Sequence, residues 1–308
     1  MYFGSVRFYR HLILIVMALI VICSIGSCIY LGFSNHHLKK LIKENGLTIE
    51  ELENALDTPA STTLDLMKQR ERMAQYYLSS FTYQDLYPEL YVDNDYVFTE
   101  EASKTVYLTF DDGPSPLTSR VLDVLKTKDI KATFFVVYDD SPSAVALYKR
   151  MISEGHTIGV HSTSHQYEEI YESVETFLDD FAKTALMLEE VTGVKPEIFR
   201  FPGGSINNYN KHVHQPIVAE MVRRGYTYYD WNVSSGDASG NSSRPKIYSN
   251  VINNVQRFDR SIVLMHDASS KADTIASLPL IVDKLQAMGY TFSPLTQEVK
   301  PIAFEYVN

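Results

Sequence analysis

The sequence predicts an α/β protein: a barrel-like closed sheet of about seven β/α units, preceded by a membrane-spanning helix and a helical stalk. Two observations carry that prediction. In the C-terminal part of the chain, short runs of β-forming residues alternate with amphipathic stretches, and strands separated by crossover helices pair in parallel. About seven such units over roughly 200 residues suit closure into a barrel, with the site on the loops after the strand C-termini. Near the N-terminus, Leu12 to Phe33 carries no formal charge. That run of about 22 residues is long enough to cross a bilayer core as a helix.

Composition narrows the function classes. The 308 residues are 45% hydrophobic and 21% charged, as in an ordinary globular protein with a well-buried core. A net charge of −10 argues against a nucleic-acid partner, which needs a basic face. Both cysteines, Cys23 and Cys28, lie in the apolar run, so the rest of the chain has neither a disulfide nor thiol chemistry.

Taken in order, residues 1–35 read as a cytoplasmic tip and transmembrane signal anchor. Arg7 and Arg10 precede the span while Lys39, Lys40 and Lys43 follow it, so the basic flanks do not settle orientation. The absence of an A-x-A-like cleavage site favours an uncleaved anchor. "IGSC", ending at Cys28, loosely resembles a lipoprotein processing site, although apolar residues continue past it. Residues 36–98 form the stalk and linker. Leu38, Leu41 and Ile42, then Leu64, Met67 and Met73, recur at helical spacing, with Pro59, Ser61 and Thr62 breaking the stretch in two. A Tyr-rich connector, "YQDLYPELYVDNDYVFTEEASK", leads into the main domain, residues 99–308. There the strands are expected at Val106–Phe110, Thr133–Val137, Thr157–Val160, Ile198–Phe201, Thr227–Asp230, Ile262–Met265 and Thr291–Ser293. The intervening helices are expected near Thr118–Thr127, Ala144–Glu154, Val174–Val191, Gln215–Arg224, Ile247–Arg257 and Thr274–Met288.

Chemistry collects where the strands end. The first finishes in Asp111-Asp112 and is broken by Gly113-Pro114. The third runs into "HSTSH", with His161 and His165, and the fourth into "RFPGGS". The fifth ends in "YYDWN" and the sixth in "LMHD". In a parallel barrel all of these ends lie on one face. Histidines at i and i+4 face the same way on a helical turn, which suits two imidazoles gripping one ion. A carboxylate from a neighbouring strand end would complete a His-His-Asp set with positions left open, the pattern of a catalytic metal. The ligand types favour zinc, with cobalt and nickel as alternatives.

"TFDDGP", "HSTSH", "RFPGG", "DWN" and "LMHD", in that order, resemble the polysaccharide deacetylases of carbohydrate esterase family 4, the NodB-homology domain. The resemblance covers about residues 100–300 and implies a distorted (β/α) barrel. It further implies that Asp112, His161 and His165 hold a divalent metal while Asp111 stays free as general base, paired with Arg200. His266 would protonate the leaving sugar amine, oriented by Asp230. The Gly203 N–H would help to hold the oxyanion, and Trp231 and Leu264 would line the acetyl pocket. Three positions depart from the family pattern: Ser234 where an acid is expected, Ala238 where an aromatic is expected, and Gly203 where many relatives carry Tyr. They leave the chemistry intact and bear on the shape of the sugar groove. His156, His212 and His214 receive no role.

The expectation is a membrane-tethered, metal-dependent N-deacetylase acting outside the cell on an N-acetylated glycan, with bacterial peptidoglycan first. Chitin oligomers and acetylated exopolysaccharide are the alternative substrates. A catalytically silent wall-binding or scaffolding domain is the rival of a different class, and the complete set of acid, base and ligands argues against it.

Overall fold

The computed structural model describes residues 82–99 and 103–304. The apolar run at 12–33 and the stalk to residue 80 lie outside the described residues. Among the described residues, no helix is long and apolar enough to cross a membrane.

Thr105–Asp111 forms strand β1 and is buried along its whole length. Burial on both faces is what a central strand of a parallel sheet requires, and its apolar and Thr side chains meet that demand. β1 pairs in parallel with β7 (Arg260–His266) over seven residues, from Thr105↔Arg260 to Asp111↔His266. Its C-terminal half pairs with β2 (Thr133–Val137), and its first residues with β8 (Thr291–Phe292). Beyond β2 come β3 (Thr157–Ser162), β4 (Ile198–Phe199) and β5 (Thr227–Tyr228), while β6 (Val233–Ser234) lies outside β7. Every pairing is parallel, and the path runs β5-β4-β3-β2-β1-β7-β6.

The two edges of that path are successive pieces of one segment. Tyr229 N–H continues the ladder on β4 by bonding Phe199 O, whereas the N–H groups of Asn232 and Ser235 bond Ile262 O and Leu264 O of β7. The predicted barrel is therefore a half-barrel: its seam is bridged by the chain itself, and no ladder joins β5 to β6 among the described residues. Asp230 and Trp231 sit at the crossing.

The helices follow the predicted alternation: α1 (Thr118–Thr127), α2 (Pro142–Ser153), α3 (Tyr167–Ile170), α4 (Val174–Thr192), α5 (His214–Arg223), α6 (Arg244–Val255) and α7 (Ala272–Ala287). Four-residue α3 had no periodic signal. The Ser141 hydroxyl caps α2, and its Pro142 sits where a missing N–H costs nothing. α4 opens with a Ser173/Thr176 capping box and buries Phe177, Leu178, Phe181, Ala185 and Leu188 against the sheet core.

One boundary moves. The connector expected to be a linker packs onto the domain from residue 82. Arg224 is wholly buried and bonds the carbonyls of Tyr83 (3.2 Å), Leu86 (2.8 Å) and Tyr87 (2.9 Å), while its Nε bonds Glu220 at 2.6 Å. A buried guanidinium must find acceptors for its donors, and the connector backbone supplies three. Val92 N–H then bonds Arg224 O. Gly225 has φ +88°, and a Cβ there would lie 2.2 Å from Val92 O, so the connector can approach only a glycine.

Candidate active site

The C-terminal ends of β1, β3 and β7 and the loops after β4 and β6 assemble one polar cluster. Asp111 completes β1 and is buried, its Oδ1 accepting from Arg200 Nη1 at 2.8 Å. Arg200 is itself fully buried. It also bonds Thr109 Oγ1 (2.6 Å), Tyr229 O (2.8 Å) and Asp230 O (3.2 Å), and lies over the Phe135 and Trp231 rings. The predicted Arg200–Asp111 pair is thus in place and held from several sides. Asp112 leaves the strand with φ 70°, which turns its carboxylate towards the histidines. The peptide that follows, Gly113-Pro114, is cis. A side chain at Gly113 would collide with the Asp267 carboxylate, 2.4 Å from an added Cβ. Asp267 is fully buried, and burial pushes its carboxyl up to about 7.

Asp112, His161 and His165 converge, their candidate ligand atoms all within 4.8 Å of one another. Asp112 Oδ1 lies 3.4 Å from His161 Nε2 and 3.3 Å from His165 Nε2, yet has no hydrogen-bond partner. His161 Nδ1 lies 2.8 Å from Arg200 O. Donating there fixes the tautomer that leaves the Nε2 lone pair facing the carboxylate. Lone pairs and a carboxylate oxygen pointed at one place repel unless a proton or a cation lies among them. The donor set therefore fits a divalent cation, with imidazole and carboxylate suited to zinc and its neighbours. Burial would raise the Asp112 carboxyl, but the imidazoles of His161 and His165 beside it hold it well below the usual range.

The histidines are not on a helical turn, as their spacing had predicted. His161 belongs to β3, and His165 follows in a loop with φ 55°. A residue not foreseen from the sequence builds that loop. Asp180 of α4 accepts from Ser162 Oγ (2.6 Å), Thr163 N (2.8 Å) and Ser164 N (2.7 Å), and His165 N–H then bonds Ser162 Oγ. Its signal was present: Asp180 lies three residues after Phe177 and four before Thr184, so an acid sits on the buried stripe of a helix.

His266 ends β7 with its ring against Asp237, not Asp230. Its Nδ1 lies 2.8 Å from Asp237 Oδ1, and Asp237 Oδ2 accepts from the His266 backbone N–H and from Thr274 Oγ1, each at 2.9 Å. Burial opposes a charge on His266, but the bond to Asp237 and the fields of Asp111, Asp237 and Asp112 prevail, and its pKa lies above the ordinary histidine value. Asp230 serves elsewhere. At the seam its carboxylate is directed to the "RFPGGS" loop and the C-terminal tail, accepting from Ser205 N (2.8 Å), Ser205 Oγ (2.5 Å) and Phe304 N (2.7 Å). Burial raises its pKa despite those donors. The position that seemed to lack an acid, Ser234, is followed three residues later by the acid that does the work.

Gly203 adopts φ +75°. Its neighbour Gly204 bonds Phe201 O, whereas no described group accepts the Gly203 N–H. Leu264 lies two residues before His266 on β7, hence on the same face of the strand. Trp231 packs edge-on against Phe304 with ring centres 4.9 Å apart. His156 is buried beside β2, its Nδ1 accepting from Ala132 N, and His214 is buried behind the "RFPGGS" loop with its ring 6.2 Å from Phe201; burial lowers the pKa of both.

Four similarities to known proteins bear on this arrangement. The family model for polysaccharide deacetylase matches residues 99–225. A peptidoglycan-N-acetylglucosamine deacetylase of Bacillus cereus is 30% identical over 217 residues, 68% of this chain and 77% of the relative. The crystal structure of the catalytic domain of a peptidoglycan N-acetylglucosamine deacetylase from Eubacterium rectale superposes with a TM-score of 0.64 at 39% identity, covering 69% of this chain and 97% of that one. A polysaccharide deacetylase of Bacillus cereus superposes with a TM-score of 0.59 at 30% identity, over 65% and 97% of the two chains.

Proposed function

Because this chain belongs to the polysaccharide deacetylases of carbohydrate esterase family 4, with their NodB-type domain, we propose that it hydrolyses the acetamido groups of bacterial peptidoglycan in a metal-dependent reaction outside the cell. One observation carries the reading: the Asp112–His161–His165 trio stands beside a buried base pair, Asp111–Arg200, and a buried acid pair, His266–Asp237.

Asp112, His161 and His165 would hold the divalent cation, zinc first. Bound there, it would lower the pKa of a water and polarise the acetamide carbonyl. The chain does the rest. Asp111, kept on its bearing by Arg200, takes the proton as the water oxygen bonds to the carbonyl carbon. The Gly203 N–H supports the developing oxyanion. His266, charged through Asp237, gives a proton to the amide nitrogen as the C–N bond breaks, leaving acetate and the sugar amine. Base and acid are register partners at the ends of the adjacent strands β1 and β7, so both reach the same site.

The substrate assignment rests on what the relatives act on, and the location on the uncharged run at 12–33, which would anchor the chain with the domain outside. Incubation of the full chain with defined muropeptides and chito-oligosaccharides should remove one acetyl mass per site. Chelation should abolish the loss, and zinc, cobalt or nickel should restore it. No mass loss with any metal would instead favour a silent wall-binding domain. Protease added to intact cells should digest the chain beyond about residue 35, where a span of this length ends; digestion only after lysis would place the domain inside.

A further inference from the structure

Position 203 has no side chain, and something else occupies its space. A Cβ on Gly203 would lie 3.2 Å from Cε2, Cζ and Oη of Tyr167, so the ring of Tyr167 lies over the glycine. Tyr167 opens α3, directly after the His165 loop, and its ring stands 5.3 Å from that of His165. On its other side it meets Tyr209 edge to face, again at 5.3 Å, and Tyr209 is 45% exposed. A continuous aromatic surface therefore runs from the candidate metal ligand out to solvent.

The surface is preorganised. Tyr171, one helical turn after Tyr167, is buried and donates its hydroxyl to Pro202 O at 2.7 Å, tying α3 to the glycine loop. Asn207 fixes the far end: its Oδ1 accepts from the N–H groups of Tyr209 and Asn210, and its Nδ2 bonds Pro202 O and Gly204 O. Tyr209 is thus exposed yet fixed in place one ring away from His165, ready to stack on a flat apolar face. The equatorial C–H groups of a pyranose present a flat apolar face of matching size.

We propose that Tyr167 and Tyr209 form the substrate-side wall of the sugar groove, Tyr167 closing the side of the acetamido sugar being hydrolysed and Tyr209 stacking on the adjoining sugar of the chain. The inference rests on the glycan-deacetylase reading and deepens it. It makes the wall a property of the segment after "HSTSH" rather than of position 203, and gives the enzyme a preference for chains over single sugars.

The test is steady-state deacetylation by the metal-loaded full chain of N-acetylglucosamine monomer and pentamer, with calorimetric binding of the deacetylated pentamer as a readout free of turnover. Tyr209→Ala should raise KM for the pentamer about 5–10-fold, leave kcat within about twofold and scarcely alter activity on the monomer; it should weaken pentamer binding by the same factor. Tyr167→Phe, which keeps the ring and the fold, should stay within about threefold of wild type. Tyr167→Ala should lose at least about tenfold in kcat/KM on both substrates. Unchanged pentamer KM and binding in Tyr209→Ala, with wild type active, would overturn the wall, as would a loss on pentamer and monomer alike. A wild-type chain inactive on every acetylated glycan would overturn the deacetylase reading first, and the wall with it.

Discussion

Replacing Asp237 by Asn should move the alkaline limb of the pH–rate profile. In the native site Asp237 Oδ1 faces His266 Nδ1 at 2.8 Å, and Oδ2 takes the His266 backbone N–H and the Thr274 hydroxyl. The backbone donor cannot rotate away. An Asn there would therefore turn its carbonyl oxygen to that N–H and present its NH2 to Nδ1. The ring would then have to accept at Nδ1, which favours neutral imidazole, while the charge that favoured imidazolium is gone. A hydrogen bond to a charged group is worth about 1.5–3 kcal/mol, and 1.36 kcal/mol corresponds to one pKa unit. The His266 side chain is only 13% exposed, so screening by water is slight. The expected fall in the His266 pKa is roughly 1–2 units, with Asp111 and Asp112 retaining part of the elevation. The sign follows: a raised pKa keeps the acid charged to higher pH, so activity is present below that pKa and lost as pH rises through it. In Asp237→Asn the loss should begin about 1–2 pH units lower. The measurement is kcat/KM for an N-acetylglucosamine oligomer from pH 5 to 10 at saturating metal, with metal content and circular dichroism checked in parallel. An unmoved limb would refute the assignment of Asp237, and a shift in Asp230→Asn instead would restore the partner expected from the sequence.

Four further outcomes are expected. Asp230→Asn should leave the limb in place but loosen the Ser205 and Phe304 contacts, lowering stability by about 1–3 kcal/mol in urea unfolding together with kcat. Asp112→Asn should lose metal affinity along with activity, whereas Asp111→Asn should bind metal near stoichiometrically and lose about 10²–10⁴-fold in kcat; equal metal loss in the two would refute their division of labour. A fragment starting at residue 99 should melt well below one starting at 82, because it strips the carbonyls from buried Arg224 at a cost of about 3–5 kcal/mol, some 10 °C at this size; equal melting temperatures would make the connector a mere linker. Gly113→Ala should lose both stability and activity, since its Cβ meets the Asp267 carboxylate, and normal thermal unfolding would contradict that contact.

What the sequence by itself determined is the chemistry that travels with a strand. Alternation of β-forming runs with amphipathic stretches implies parallel strands, and parallel strands send their C-termini to one face. Asp111, Asp112, His161, Arg200 and His266 could therefore be gathered without coordinates. Which acid joins the two histidines, Asp112, and which pairs with Arg200, Asp111, came from the resemblance to the family and not from that placement. Tertiary structure alone decided which carboxylate reaches His266. Asp230 follows β5 directly and Asp237 follows β6, because the chain switches from the β4 edge to the β7 edge between them. That switch aims Asp230 at the glycine loop and brings Asp237 under the imidazole. The same holds for Asp180 around the histidine loop, for Tyr167 over Gly203, and for the connector clamped by Arg224. In each the partners are far apart in sequence or sit in irregular backbone. Periodicity records only which way a residue faces within its own element; which buried donor meets which acceptor depends on how the elements close on one another.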